Sequence, residues 1–319
     1  MMKESTKAVW RVNAGTGWKR PFLFVHAYIY LARTETYVNL LLPLAKFICY
    51  RLPRPAGVLL LSFVIPNYHS KILVTADAKK IVSLNEDVRI DDSIGEKVAP
   101  FETARQILFE HPDHITSCDC ACRMYMKRTT GKSCSSEKYG INTCMAIGEP
   151  QASFILEHSN LNPKKLSIEE ALDRLEDFHK NGWVHTFWFK DALGYRSYAM
   201  CNCCGDCCQG MLANFKLAPS VGYKNKMIIP SGYTAKRDES KCKGCGACVK
   251  ICPFQARTLN ASKAKSEIDY DKCYGCGVCI DACPNGALSL ELYPKKGIPL
   301  DMCKLKEQQA QLDRHASRR

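Results

Sequence analysis

The chain has 319 residues, a formal charge of +13 and twenty cysteines, far more cysteines than an ordinary globular domain carries. A chain of this length buries enough apolar surface to fold without disulfides, which excludes the small disulfide-stapled class. The cysteines lie mostly in tight clusters, a spacing that suits metal thiolates and suits disulfides poorly. The pattern therefore predicts metal binding in a reducing compartment.

Residues 1–65 are predicted to be a basic, apolar helical segment. Between residues 1 and 72, ten Lys or Arg oppose two Glu, so most of the excess positive charge lies here. The apolar runs Phe22–Ala32, Tyr37–Tyr50 and Gly57–Ile65 are each too short for a spanning helix of about 20 residues. Two interpretations stay open: interfacial helices on a membrane surface, or helices packed on the rest of the protein or on a partner.

The predicted location is the cytoplasm, at the cytoplasmic face of the membrane if the helices are interfacial. Export by a twin-arginine signal is not favoured. Lys19 stands where the first arginine is required, and no small-x-small cleavage site follows the apolar stretch.

Residues 66–218 are predicted to form a cysteine-rich α+β module. Helical patterns occur at Thr75–Leu84 and Phe101–Glu110. A clearer helix starts at the capping box of Ser167 and Glu170 and stops at Asn181-Gly182. Trp183–Phe189 then reads as a strand.

The remaining chain divides into three parts. Proline and glycine predict a linker at 219–234. A compact domain is expected at 235–298, with a small hairpin formed by Arg257–Leu259 and Glu267–Asp269. Residues 299–319 read as a polar tail, helical or disordered. The predicted fold class of the whole chain is α+β. It consists of a helical N-terminal segment, a cysteine-rich α+β module and a C-terminal domain.

An internal repeat with an offset of 31 residues dominates the C-terminal part. The first run, Cys242–Pro253, has the same cysteine, glycine and proline positions as the second, Cys273–Pro284. Thiolates two residues apart can wrap one face of a cubane only if the chain turns tightly, which places glycines between them. A zinc site is disfavoured, because zinc sites close with four ligands in paired C-x-x-C blocks.

This stretch resembles the bacterial 2 × 4Fe-4S ferredoxin family over roughly 55 residues. The resemblance implies two clusters, low-potential electron transfer and an exchange in which the fourth cysteine of each run ligates the other cluster. Cluster 1 would be held by Cys242, Cys245, Cys248 and Cys283, and cluster 2 by Cys273, Cys276, Cys279 and Cys252.

Ten further cysteines, here called the upstream cysteines, precede the repeat: Cys118, Cys120, Cys122, Cys134, Cys144, Cys201, Cys203, Cys204, Cys207 and Cys208. Crowded thiolates repel one another unless a metal neutralises them, so at least one further metal centre is expected. An iron–sulfur cluster is favoured over zinc because the same chain already receives clusters, and zinc stays as the alternative.

The spacing suggests one quartet in particular, Cys122, Cys134 and Cys144 with one cysteine from 201–208, although two centres would also fit. His185 is a weak additional candidate that more often only packs beside a strand. Cys49 and Cys303 lie outside both groups and are expected to be ordinary thiols.

Cys-x-Cys-Arg at 120–123, Gly-Trp-Val-His at 182–185 and Cys-Asn-Cys-Cys at 201–204 give a second resemblance. The layout is similar to that of a group of anaerobe proteins that fuse such a module to a C-terminal ferredoxin. The resemblance covers about residues 66–290 and implies an electron-transfer component without specifying a reaction.

These observations predict a carrier that relays low-potential electrons between redox-protein donors and acceptors, with no nucleic acid partner. The alternative is an iron–sulfur reductase whose catalytic cluster lies within residues 118–208. A redox-sensing regulator is weaker, because the positive charge coincides with apolar helices instead of a recognition motif. The cysteine loop of radical enzymes, the phosphate loop and the dinucleotide fingerprint are all missing from the sequence.

Overall fold

The computed structural model describes residues 2–13, 19–99, 107–190, 193, 196–260, 262 and 264–316. The helices are α1 Glu4–Val12, α2 Lys19–Ala32, α3 Thr34–Arg51, α4 Arg54–Val64, α5 Thr75–Val82, α6 Asp92–Val98, α7 Ala121–Thr130, α8 Gln151–His158, α9 Ile168–Lys180, α10 Gln209–Leu212, α11 Ala218–Ser220, α12 Ala247–Lys250, α13 Val278–Asp281 and α14 Met302–Ala316.

The strands are β1 Tyr68–Leu73, β2 Val88–Ile90, β3 Ile107–Asp119, β4 Asn142–Glu149, β5 Lys164–Leu166, β6 Val184–Lys190, β7 Ser197–Cys203, β8 Ile228–Ile229, β9 Tyr233–Arg237, β10 Arg257–Asn260, β11 Lys265–Ile268 and β12 Leu288–Leu292. Helices and strands are thus both abundant, and the predicted mixed α+β class is confirmed.

One large sheet organises the region between the N-terminal helices and the ferredoxin-like repeat. Its strand order is β2-β3-β4-β7-β6-β1-β8, and β5 adds to β3. All pairs in this sheet are antiparallel except β1 with β8, which run parallel. Strands β4, β7 and β6 therefore lie side by side at its centre, where β4 and β7 bring cysteines close together.

The sheet separates two hydrophobic cores, because successive side chains of a strand point to opposite faces. On β6, Trp188 belongs to one core and its neighbours Phe187 and Phe189 belong to the other. The first core contains residues of the N-terminal helices and α8, and the second contains residues of α5, α6, α9 and α14. The sheet is accordingly covered by helices on both faces.

The N-terminal helices pack on the rest of the protein through their inner side. Ala27, Leu31 and Leu61 are buried in the first core. Tyr28 meets Phe154 of α8 edge to face, with ring centroids 5.2 Å apart. The packed-helix interpretation therefore accounts for this inner side, while many apolar side chains on the same helices stay exposed. No described helix is both long and apolar enough to cross a membrane.

The repeat forms a small unit with two strand pairs, β10 with β11 and β9 with β12. The predicted hairpin of Arg257–Leu259 and Glu267–Asp269 is thereby confirmed for the residues within β10 and β11. The helices expected at Thr75–Leu84 and after Ser167 are confirmed as α5 and α9, and the strand expected at Trp183–Phe189 as β6. The reciprocal hydrogen bonds of the capping box at Ser167 and Glu170 are both present.

The helix predicted at Phe101–Glu110 is wrong where it can be assessed. Residues 107–110 begin the long strand β3, and the other residues of that prediction lie outside the described part. Phe109 lies opposite Val88 of β2 and is buried in the second core, so pairing with β2 outweighs the local helical pattern.

Two predicted boundaries also differ from the observed elements. The segment predicted as a linker, 219–234, contains β8, and Ile228 of this strand is fully buried against β1. The segment predicted as a polar tail, 299–319, contains α14, whose Met302 and Leu305 enter the second core with Leu300. Both segments bury a few apolar residues that their polar composition conceals.

Candidate metal centres

The two cysteine runs of the repeat form two loops, and each loop ends in one helical turn, α12 or α13. Each loop surrounds a small cavity with four cysteines at its wall. One cavity is lined by Cys242, Cys245, Cys248 and Cys283. The other is lined by Cys252, Cys273, Cys276 and Cys279. The structure thus brings the cysteines together in the interleaved quartets that the resemblance implies.

The backbone of these loops fits the binding of clusters. Gly244 and Gly275 have φ of +67° and +65°, and a Cβ on either would lie 2.1 Å from a carbonyl oxygen. The amides of Ala256 and Ala287 donate to the sulfurs of Cys252 and Cys283, both at 3.4 Å. Amide donors of this kind stabilise the negative charge of a thiolate-bound cluster. The two halves of the repeat therefore have equivalent backbone features for holding a cluster.

One buried charge distinguishes the two halves. Arg257 is 3% exposed and lies beside Cys279, whereas Leu288 occupies the equivalent position in the other half. Burial raises the pKa of the Cys279 thiol to about 11, and the Arg257 guanidinium opposes this rise. A cluster bound next to Arg257 would have this fully buried cation beside it, whereas the cation near Cys242 of the other quartet, Arg237, is partly exposed and pairs with Glu239. The motif spacing did not single out Arg257, although the repeat alignment with Leu288 could have done so.

Six of the upstream cysteines form a closed ring of thiol contacts, here called the six-thiol ring. Interactions that shift the pKa values of these thiols link neighbouring sulfurs around it in the order Cys120, Cys122, Cys208, Cys203, Cys201, Cys144 and back to Cys120. The ring collects its sulfurs from the start of α7, from β4, from β7 and from the N-cap of α10. No local motif contains this arrangement.

The strand register explains how the ring closes. Cys144 on β4 lies directly opposite Cys201 on β7, and Cys203 follows two residues later on the same face. Thr186 on β6 lies opposite Cys201, and its hydroxyl is 3.5 Å from the Cys203 sulfur. Cys118 on β3 lies opposite Cys144 and extends the row of sulfurs without a thiol partner in the ring.

Thiols in the ring affect one another's ionisation. Hydrogen bonds from Cys122 and Cys144, followed by the charge of Arg123, hold the pKa of Cys120 well below its usual value. Hydrogen bonds from Cys144 and Cys203 lower the pKa of Cys201 to about 7. Burial raises the pKa of Cys118 to about 12. The pKa values of the other four ring cysteines, Cys122, Cys144, Cys203 and Cys208, lie well above the usual thiol value. The ring thus favours thiolates, the ligand form that metals require, at Cys120 and Cys201 only.

A cavity of about 490 Å³ lies between the six-thiol ring and the N-terminal helices. Apolar side chains from the helices, including Leu31, Leu41 and Leu61, form the wall opposite the cysteines. The cavities in the repeat measure about 20 Å³ and 10 Å³. The upstream site therefore encloses far more space than either ferredoxin-type site.

Arg123 is the buried cation of the upstream site. Its guanidinium lies over the Trp183 ring, 3.9 Å from the centroid, and donates to the Asn202 carbonyl at 3.0 Å and to the Thr143 hydroxyl. Burial opposes its charge, yet nearby thiols, first Cys120 and then Cys204, raise its pKa. The sequence marked Arg123 only as part of a pattern, and its adjacency to Cys120 and Cys122 was the available signal.

Three other upstream cysteines, here called the cysteine triad, form a separate group. The sulfurs of Cys134, Cys204 and Cys207 lie within 4.8 Å of one another. The Cys207 amide donates to the Cys204 sulfur and the Cys134 amide to the Cys207 sulfur, both at 3.3 Å. The hydrogen bond from Cys207 lowers the pKa of Cys204 to about 6.

The quartet suggested by the sequence spacing does not correspond to either group. Cys134 lies in the triad, while Cys122 and Cys144 lie in the six-thiol ring. His185 is hydrogen-bonded through Nδ1 to Asn202 at 2.6 Å, and burial lowers its pKa to about 4. Asn202 alternates with Cys201 and Cys203 along β7, so His185 lies on the face of the sheet away from the ring.

Cys49 and Cys303 lie outside the ferredoxin-type quartets, the six-thiol ring and the triad, and apart from all of them. Cys49 is buried in α3 within the first core, and burial raises its pKa. Cys303 is exposed at the start of α14. Neither thiol therefore lies next to a cysteine of the quartets, the ring or the triad.

The loop that carries Cys204 and Cys207 touches the repeat. A Cβ on Gly205 would lie 3.1 to 3.3 Å from three atoms of Pro253, the residue after Cys252. A second contact between the upstream module and the repeat joins His179 Nε2 of α9 to Asp281 Oδ2 of α13 at 2.5 Å. Along this loop, Cys203 and Cys208 face the six-thiol ring, while Cys204 and Cys207 form part of the triad. One short segment therefore connects all three groups of cysteines.

Comparison with known families gives a result for the repeat alone. Residues 241–287 match the family model described as a 4Fe-4S dicluster domain. None of the curated proteins is significantly similar to the chain. The prediction of a ferredoxin-type iron–sulfur domain is confirmed, and the chain is an iron–sulfur protein with a 4Fe-4S-binding domain at this position.

Proposed function

We propose that this iron–sulfur protein relays low-potential electrons between the two clusters of the ferredoxin-type domain and a further iron–sulfur centre held by the six-thiol ring. Its partners are a redox-protein donor and acceptor. Bound clusters would supply the redox chemistry. The chain positions the ligands, provides amide donors to their sulfurs and buries the upstream site beside a cation, Arg123.

The observation that carries this proposal is the packing of Gly205 against Pro253. Electron tunnelling weakens steeply with distance, so redox centres that exchange electrons must be close. Pro253 directly follows Cys252, and Gly205 lies three residues before the ring cysteine Cys208. The contact thus connects a ferredoxin-type ligand loop to the upstream site through a few residues.

Rapid reduction of the anaerobic protein tests the relay. After mixing with a low-potential chemical reductant, freeze-quenched EPR should detect the ferredoxin-type signals first and the upstream signal later. In Gly205→Leu, a larger side chain pushes against Pro253, and the upstream signal should appear more slowly while the first signals are unchanged. Asp206→Ala, at an exposed neighbour in the same loop, is the matched control. Equal rates in Gly205→Leu and the unmodified protein would contradict the relay.

The cavity beside the six-thiol ring favours a second candidate, a reductase that acts on a small apolar molecule. The cavity is mostly apolar, and one wall consists of sulfurs, so a substrate there would touch the centre that delivers electrons. Ligand cavities of about 300–1,000 Å³ are usual for small molecules, and this one falls in that range.

Filling the cavity distinguishes the two candidates. Leu41→Trp would narrow it from the helical wall, and Leu312→Trp, at another exposed leucine far along the chain, is the control. A carrier should keep its rate of electron transfer to an artificial protein acceptor in both variants. A reductase should lose turnover with its substrate only in Leu41→Trp. Identification of such a substrate would replace the carrier proposal.

We also propose that the N-terminal helices dock on an anionic lipid surface. Several large apolar side chains on α2, α3 and α4 are exposed, including Phe22, Leu40 and Phe63, each about 70% exposed. The same helices and their ends carry basic residues, namely Lys19, Arg20, Arg33, Lys46, Arg51 and Arg54. Apolar side chains combined with positive charge are complementary to a negatively charged interface.

Vesicle flotation tests the docking. The protein should float with vesicles of anionic lipid, and less with neutral vesicles or at high salt. Phe22→Ser with Phe63→Ser should weaken binding strongly, whereas Leu292→Ser, which is 57% exposed on β12, should not. Equal binding by all three proteins would exclude these helices as the lipid-docking surface.

A further inference from the structure

We infer that the cysteine triad holds a single zinc ion, separate from any cluster in the six-thiol ring. This site goes beyond the proposed electron relay. It assigns Cys134, Cys204 and Cys207 a different metal from the other cysteines of the chain, with three thiolate ligands and one position for an external ligand.

The distances between the sulfurs favour one ion. With zinc–sulfur bonds of about 2.3 Å in tetrahedral geometry, two thiolate ligands lie about 3.8 Å apart. The three sulfurs of the triad all lie within 4.8 Å of one another, a range that includes this separation. Ligands of a cubane bind different irons, and the cube separates their sulfurs further. The triad therefore has the spacing of a mononuclear site.

The other cysteines of the same protein provide an internal comparison. The ferredoxin-type quartets are cluster ligands by family, yet among the described residues no three of their sulfurs meet the spacing that the triad meets. The same is true of the six-thiol ring. The sulfurs of the triad thus lie closer together than any three sulfurs of the expected cluster ligands.

Local sequence and backbone agree with a zinc site. Cys204-Gly-Asp-Cys207 is a C-x-x-C unit, the spacing with which zinc sites usually supply two ligands. The Cys207 amide donates back to the Cys204 sulfur, and the Cys134 amide donates to the Cys207 sulfur. These donors hold the sulfurs in place and offset the charge of three thiolates.

The surroundings leave one coordination position without a protein ligand. Within the described residues, no fourth Cys, His, Asp or Glu joins the triad. Met126, Tyr139, Phe178 and Trp183 pack around its sulfurs, and Cys134 is only partly buried. A zinc ion here would complete its shell with water or another external ligand, as in three-ligand zinc sites.

Element-specific metal analysis of the full chain, purified without oxygen, tests the site. We expect about one zinc per chain in addition to iron, with zinc K-edge X-ray absorption giving three sulfurs at about 2.3 Å and one lighter atom. Cys134→Ala and Cys207→Ala should each lose most of the zinc and keep the iron. Cys303→Ala, at an exposed cysteine outside all three groups, is the control and should keep both metals.

Three results would overturn the inference. Zinc that remains bound when Cys134 and Cys207 are replaced would be adventitious. Iron loss in these variants without loss of zinc would make the triad part of a cluster. An absorption spectrum with four sulfurs, or with none, would exclude the three-thiolate shell even if a variant failed to fold. Each result leaves the relay itself to be judged by its own EPR test.

Discussion

The ferredoxin-type domain and the upstream module both gather cysteines, but they do so by different means. In the domain, each quartet takes three cysteines from one short run and the fourth from the other run, with glycines at the turns. In the module, the six-thiol ring takes its sulfurs from two strands and the ends of two helices. The first arrangement is encoded locally and the second by the register of a sheet.

This difference indicates what stabilises the ferredoxin-type sites and the six-thiol ring. The domain depends on tight loops, so a bound cluster contributes much of its core. The ring cysteines instead line a sheet that is already supported by two hydrophobic cores. Loss of a cluster should therefore unfold the domain more readily than the module.

The largest expected effect comes from removing two ligands in either region. Cys276→Ala with Cys279→Ala should remove about four irons and much of the order of the C-terminal domain. Cys144→Ala with Cys201→Ala should remove iron from the upstream site and leave the ferredoxin-type EPR signals unchanged. Iron and sulfide analysis with EPR measures both. If the second variant keeps all of its iron, the six-thiol ring is not a cluster site.

The contact between the upstream module and the ferredoxin-type domain gives a smaller effect on stability, and a second glycine serves as a matched control. Gly182 has φ of +78°, and a Cβ there would lie 2.7 Å from Ile251, whereas Gly131 has φ of +74° and open space around it. Gly131→Ala should cost about 1 kcal/mol through the backbone alone. Gly182→Ala should cost about 1–3 kcal/mol more, because it also crowds the contact with the domain.

Anaerobic thermal unfolding of both variants measures this difference. A larger fall in midpoint for Gly182→Ala indicates that the module and the domain are packed together in solution. Equal falls in the two variants would mean that this contact contributes nothing to stability.

Arg257 allows the two halves of the domain to be compared directly. Arg257→Leu puts into one half the residue that Leu288 provides in the other. Loss of a buried positive charge should lower the potential of the adjacent cluster by on the order of 100 mV and leave the other one nearly unchanged. EPR-monitored redox titration separates the two potentials. An equal shift in both, or none, would contradict the placement of Arg257 beside one quartet.

A pH-dependent effect concerns Lys71, which links β1 to the chain that leads into the domain. Its ammonium donates to the Val98 carbonyl at 2.9 Å and to the Pro230 carbonyl at 3.2 Å, and burial lowers its pKa to about 7. Between pH 7 and 10.5 the unfolded chain binds this proton and the folded chain does not, so stability rises with pH.

This rise should amount to about 2 kcal/mol between pH 7 and 9. Lys71→Met removes the titrating group, so the stability of this variant relative to the unmodified protein should decline over the same interval. Thermal midpoints at the two pH values give the comparison. A constant difference would mean that Lys71 stays charged in the folded protein.

The sequence predicts the ferredoxin-type domain better than it predicts the upstream module. The ferredoxin-type quartets follow from spacing, glycines and the repeat. Helix α9 follows from its caps. The ring does not follow, because the pairing of Cys144 with Cys201 depends on the register of β4 and β7. The alternation of Cys203 and Cys204, and of Cys207 and Cys208, between two groups also depends on the final backbone.

Other errors have the same physical origin. Residues 107–110 look helical locally, but pairing with β2 makes them a strand. Ile228 lies in a segment rich in turn residues, yet burial against β1 makes it part of the sheet. In each case a contact with a distant part of the chain outweighs local preference.

The central claim is that the chain carries an iron–sulfur centre upstream of its ferredoxin-type domain. Iron and acid-labile sulfide analysis of the oxygen-free, full-length protein, together with EPR of its reduced form, tests it most directly. The account predicts clearly more than eight irons per chain and a signal, distinct from the two ferredoxin-type signals, that is lost in Cys144→Ala with Cys201→Ala. Eight irons, with every upstream thiol free to react with an alkylating agent, would contradict it.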